Sequence, residues 1–148
     1  MKHRLMVAAA LAASCAFSAQ AFAAADPVQE RQAIFKEYKK TFGAMGDMVN
    51  GKTAYDQAAF AKLAVKMEQL SKQPWQHFPA GSDKGKSEAQ PAVWTKPAEF
   101  KKEIDTFEGR AAELAKAAAA AKTVADVKPA FGAAGQSCKS CHDGFKKS

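Results

Sequence analysis

The chain has 148 residues, a length that makes one domain of ordinary size with room for a buried core. Its 22 basic and 15 acidic residues give a formal charge of +7, with the lysines spread out and only short pairs such as Lys39-Lys40, Lys101-Lys102 and Lys146-Lys147. Solvated helix faces carry charge in this way, and no concentrated basic surface is left for nucleic acid.

The first residues read as an export signal. Lys2, His3 and Arg4 make a positive start, Leu5 to Phe17 form a short apolar core, and small residues lead to Ala21-Phe22-Ala23, a fit to the A-x-A cleavage rule. Residues 1–23 are therefore expected to be a signal peptide cleaved after Ala23, with Ala21 and Ala25 as alternative sites, leaving 24–148 as one mature domain. The apolar run is too short for a membrane span, so no stable membrane insertion is expected. Cys15 follows Ala12-Ala13-Ser14, a poor lipoprotein box without the leucine three residues earlier, and is read as discarded signal. Without Lys2 and Arg4 the balance is 20 basic against 15 acidic residues, or +5.

Four helices are predicted in the mature chain. The first opens at Asp26-Pro27, a capping residue followed by proline at the first helical position. Ile34, Tyr38, Phe42, Met45 and Val49 recur at intervals of three or four, with Phe35 broadening the stripe, until Asn50-Gly51 stops it. The second starts near Asp56 with Phe60, Leu63, Met67 and Leu70, and ends before Pro74. From Pro74 to Lys96 no period persists, and Pro74, Pro79, Gly81, Gly85 and Pro91 punctuate a long connection. Trp75, Phe78 and Trp94 are read as aromatic anchors at its two ends, and the middle, Ser82 to Gln90, is predicted to be exposed and mobile. The third helix starts near Pro97 and shows Phe100, Ile104, Phe107, Ala111, Leu114 and Ala118. Its tract Ala117 to Ala121 favours helix but supplies little volume, so a neighbour must pack close. For the fourth helix Asp126 is preferred to Thr123 as the cap, because Pro129 then falls in the first turn. Phe131, Ala134, Cys138, Cys141 and Phe145 make its inner face. The fold class is all-α, an antiparallel four-helix bundle with two short connections and one long loop between helices 2 and 3.

The chemistry is concentrated in Cys138-Lys139-Ser140-Cys141-His142. Two cysteines three apart, with histidine directly after the second, form the signature of c-type haem attachment. On a helix such spacing brings both sulfurs and the imidazole toward one pocket. Cys138 and Cys141 can add to the haem vinyl groups as thioethers, and His142 can present a ring nitrogen to iron. A redox pair or half of a zinc site are the alternatives. Zinc would want more ligands, and the rest of the mature chain offers only His77; a thioredoxin-like pair would sit in a strand-helix-strand pattern, and none is visible. One covalent haem c per chain agrees with export, since periplasmic thioether formation is the expected route. Its two propionates would bring the charge near +3. Carboxylates such as Glu99, Glu103 and Asp105 are read as helix surface, so no acid–base or nucleophilic catalytic site is recognised and the protein is not expected to be an enzyme.

A haem motif at the C-terminal end of a four-helix chain, together with Arg31-Gln32, Gly51 with Tyr55-Asp56, Pro74-Trp75 with Phe78, Trp94 and Phe131-Gly132, resembles cytochrome c′, the class II c-type cytochromes. The resemblance spans essentially the whole mature chain. It implies a haem between the helices held on one side by His142, a periplasmic location and a homodimer through the first two helices. It also implies five-coordinate iron that binds nitric oxide and often carbon monoxide. The function expected is a high-spin, gas-binding haem protein that can also take part in electron transfer, with its redox partner unidentified. Low-spin members of the class take a methionine from the first helix, and the matched position here is Phe35, which cannot ligate iron. The family often has arginine four residues after the proximal histidine; here Lys146 keeps the charge and loses the planar fork. Arg31 is a candidate partner for a haem propionate. The haem-binding set is thus Cys138, Cys141, Arg31, Phe35, Phe78 and Lys146, with His142 on the metal. The alternative function is a low-spin periplasmic electron carrier, which would need a sixth ligand from His77 or from Met45, Met48 or Met67.

Overall fold

A computed structural model describes residues 26–147. The expected signal segment, Cys15 and the cleavage site lie outside the described residues. The bundle is built from α1 (Pro27–Val49), α2 (Gln57–Ser71), α4 (Pro97–Ala120) and α5 (Val124–Phe145), with a four-residue helix, α3 (Ala92–Thr95), in the long connection. Among the described residues the only β pairing is a single bridge between Ala89 and Lys146, and no helix is long and apolar enough to cross a membrane.

The helix starts follow local chemistry. The Asp26 carboxylate accepts from the Val28 amide at 2.9 Å, and Pro27 sits where an amide hydrogen would have no partner. Asp56 does the same for Ala59 at 2.8 Å. Gly51, at φ 72°, supplies the left-handed residue that turns the chain after α1. At α5 the structure corrects the expected cap. The helix begins at Val124, and Asp126 acts from inside its first turn, its carboxylate accepting from the amides of Thr123 at 2.8 Å and Lys122 at 2.9 Å. Reaching back satisfies two amides at once, more than a cap at Asp126 itself would do. Pro129 consequently falls in the second turn, inside the helix.

The core follows the helical stripes. Met45, Phe60, Ala64, Met67, Leu114, Ala118, Val127 and Ala134 are essentially inaccessible. The alanine tract of α4 does what its small volume requires: Ala118 and Ala121 are buried where neighbouring helices close in. Helices α1 and α5 meet in a reciprocal fit of rings on glycines. Phe42 and Phe131 stack at 4.2 Å, a Cβ on Gly135 would stand 3.3 Å from Phe42, and one on Gly46 would stand 3.5 Å from Phe131. The pairing runs antiparallel and fixes the register between the two helices.

The connection from Lys72 to Lys96 is a strap pinned at points along its middle. Ser82, Ser87 and Ala89 are buried where exposure was expected, while Lys84, Gly85, Lys86 and Glu88 are exposed as expected. Trp75 Nε1 donates to Ser71 O at 2.6 Å and Trp94 Nε1 donates to Phe78 O at 3.1 Å, so the tryptophans anchor both ends as expected. Between them the strap pairs with the chain after α5: Gln90 N donates to Phe145 O at 2.9 Å and Lys147 N to Glu88 O at 2.8 Å. A second cluster of Ala89, Val93, Phe100 and Phe145 forms beneath it. The sequence pattern has no period here because the strap's order comes from backbone pairing and single buried side chains.

Candidate functional site

The last two turns of α5 carry Cys138, Cys141 and His142. Both cysteines are half-buried and neither is in a disulfide. Cys138 packs on the main core and Cys141 on the second cluster, so the thiols straddle the boundary between the two. Burial pushes the Cys138 thiol above its ordinary range; burial, with Glu103 and Cys138 adding, pushes Cys141 up to about 11. A reactive redox pair needs the opposite shift. Nor do three His, Cys, Asp or Glu side chains converge on a metal-holding point among the described residues, so the zinc reading lacks donors.

His142 opens to solvent on one side, yet burial and then Lys146 lower its pKa, against the opposing pull of Asp143 and Glu88. The imidazole is therefore held neutral near pH 7, the form that ligates a metal. Lys146 itself lies 3.2 Å from Glu88 on the strap, an exposed pair of small energetic weight.

The register set by the ring-on-glycine pairs locates the opposite wall. Two turns back along α1 from Phe42 and two turns forward along α5 from Gly135 lie Phe35 and His142, so these residues stand at one level of the bundle. Phe35 is half-buried in a nest of edge-on rings: Tyr38 at 5.5 Å, Trp75 at 6.1 Å and Phe78 at 6.4 Å. Each such pair contributes about 0.5–1.5 kcal/mol beyond area burial, which holds the ring in place. Tyr38 is fixed in turn by a hydrogen bond from its hydroxyl to Leu70 O.

Of the possible sixth ligands, Met45 and Met67 are fully buried in the main core and Met48 is half-buried. His77 is half-buried on the strap, with its carbonyl accepting from Arg31 at 2.7 Å. Arg31, predicted as a propionate partner, is buried with four hydrogen bonds to the strap, and its guanidinium carbon stands 4.4 Å from the centre of the Phe78 ring. The structure thus brings Cys138, Cys141, His142, Phe35, Phe78 and Arg31 to one end of the bundle. Ser82 and Ser87, which complete the arginine's shell, were missed; no motif or period marks them, and only the glycine turns at Gly81 and Gly85 flank their positions. The donor set fits a c-type haem: two half-buried thiols one turn apart, an adjacent neutral imidazole and an aromatic wall in which the Tyr38 hydroxyl is committed to Leu70 O.

Comparison with known proteins points the same way. A family model described as cytochrome C′ matches residues 26–146. A cytochrome c′ from Rubrivivax gelatinosus is 40% identical over 125 residues, covering 82% of this chain and 95% of that protein. The solved structure of cytochrome c prime from Shewanella frigidimarina aligns with a TM-score of 0.79 at 42% identity, over 84% of this chain and 96% of the other. Cytochrome c prime from Alcaligenes xylosoxidans aligns with a TM-score of 0.77 at 33% identity, over 83% of this chain, both as a nitric oxide complex of a leucine-to-alanine variant (94% of that chain) and as a carbon monoxide-bound leucine-to-glycine variant (95%).

Proposed function

The chain belongs to the cytochrome c′ family, whose members carry covalently attached c-type haem, and on that premise we propose that it is a periplasmic gas-binding haem protein with five-coordinate, high-spin iron. Cys138 and Cys141 hold the haem through thioethers and His142 supplies the protein ligand. Nitric oxide and carbon monoxide are the proposed ligands, as bound in the A. xylosoxidans structures, and electron exchange with a redox partner is a secondary role. The protein is read as acting by binding and not by turnover: Tyr38, the titratable ring in the Phe35 nest, has its hydroxyl committed to Leu70 O and its pKa raised by burial. A homodimer through α1 and α2 completes the reading.

The observation that carries the proposal is the level shared by Phe35 and His142. The haem supplies an open coordination position for a diatomic gas. The chain's part is to exclude water from that side, to withhold a second ligand, and to make any incoming molecule displace a packed ring. Overcoming such packing costs on the order of 1–3 kcal/mol, equivalent to roughly ten- to a hundredfold in affinity. Titration of the reduced holoprotein with carbon monoxide tests this. Wild type should bind, and Phe35→Ala should bind roughly ten- to a hundredfold more tightly. A wild type that takes up no carbon monoxide would remove the gas-binding reading in favour of the low-spin carrier.

A further inference from the structure

Arg31 is only 3% exposed, and its guanidinium faces the strap. One terminal nitrogen donates to His77 O at 2.7 Å and Ser82 Oγ at 2.8 Å; the other donates to Ser82 O at 2.6 Å and Ser87 Oγ at 2.7 Å. All four acceptors are neutral, and Asp26 at the start of the same helix is the acid that most favours the charge. A buried guanidinium with neutral partners is tolerable only when its fork is filled, so arrangement matters here more than charge. The same group covers the ring of Phe78, which stands edge-on to Phe35 at 6.4 Å and to Phe100 at 5.4 Å. Ser87 Oγ also accepts from the Ala89 amide at 3.2 Å, at the point where the strap bridges to Lys146.

We propose that Arg31 and the hydroxyls of Ser82 and Ser87 form a clamp that positions the Phe78–Phe35 ring pair and so sets how readily a diatomic gas displaces Phe35. Arg31 is a positioning residue in this account, acting through Phe78. The inference rests on the gas-binding reading above. It differs from a direct arginine–propionate pairing in one respect: the serines matter only to the clamp.

The test uses full-length holoprotein and measures the carbon monoxide association rate after flash photolysis, beside the resting absorption spectrum. The Ser82→Ala/Ser87→Ala double variant should raise the rate about fivefold for each hydroxyl removed, the factor one buried hydrogen bond represents. The resting spectrum should stay unchanged. Arg31→Lys keeps the charge and loses the fork, and should match the double variant. Threonine at both serine positions should restore wild-type rates. Should the double variant fail to fold, Ser87→Ala alone should shift the rate in the same direction by about fivefold. Wild-type rates in folded serine variants would overturn the clamp while leaving gas binding intact. A wild type that binds no carbon monoxide would overturn both.

Discussion

The carboxylate of Asp126 shows what one exposed side chain can do at a helix start. Hydrogen bonds from the amides of Lys122 and Thr123, then from the Thr123 hydroxyl, hold its pKa below the ordinary 3.8. A depressed pKa contributes stability that is fully present above the unfolded value and lost as pH falls through the folded one. Asp126→Asn should therefore melt below wild type at neutral pH, and the gap should close once acidification passes below 3.8. Thermal melts of both proteins across that range check this; a gap that persists in acid would mean the carboxylate's charge is not what matters. Single residues were unevenly legible in the sequence. Cys138, Cys141 and His142 announce themselves because thioether chemistry demands one spacing. The capping residue of α5 was misplaced because local propensity cannot show that Asp126 reaches back to two amides. Ser82 and Ser87 were invisible, since a serine hydroxyl bonded across the fold leaves no periodic trace.

Among the elements, α1 and α2 pair antiparallel through the Tyr38 hydroxyl on Leu70 O and an exposed Lys66–Glu37 contact at 2.7 Å. Ala44 and Met48, one turn apart on α1, and Ala59 on α2 are half-buried in the single chain, and Val65 on α2 is 46% exposed. Small and flexible apolar groups of this kind suit the self-complementary contact of a twofold dimer. Sedimentation equilibrium at micromolar concentration should report a dimer, and Met48→Glu should shift it toward monomer; wild type sedimenting only as monomer would contradict the proposed assembly. The four bundle helices were legible because each buries a stripe with period 3.6, and proline, glycine and aspartate mark their ends. The strap was legible only at its tryptophan anchors. Its polar, aperiodic middle reads as exposed throughout, whereas Ser82, Ser87 and Ala89 are buried and Arg31 and the backbone of Gln90, Glu88 and Lys147 make hydrogen bonds there.

At the scale of the whole molecule, three segments far apart in sequence close one end of the bundle: Arg31 and Phe35 on α1, the strap with Phe78, and the cysteines and histidine of α5. The stacked rings of Phe42 and Phe131 set the register, and the strap ties the start of α1 to the chain after α5. That arrangement puts His142, the proposed protein ligand, at one level of the bundle with a packed ring across from it. The absorption spectrum of the ferric wild type near neutral pH, recorded beside Phe35→Met, tests this claim most directly. Five-coordinate, high-spin iron is predicted for wild type, with conversion to a six-coordinate, low-spin form when methionine replaces the ring. A low-spin wild-type spectrum that collapses when His77 or one of Met45, Met48 and Met67 is replaced would contradict it.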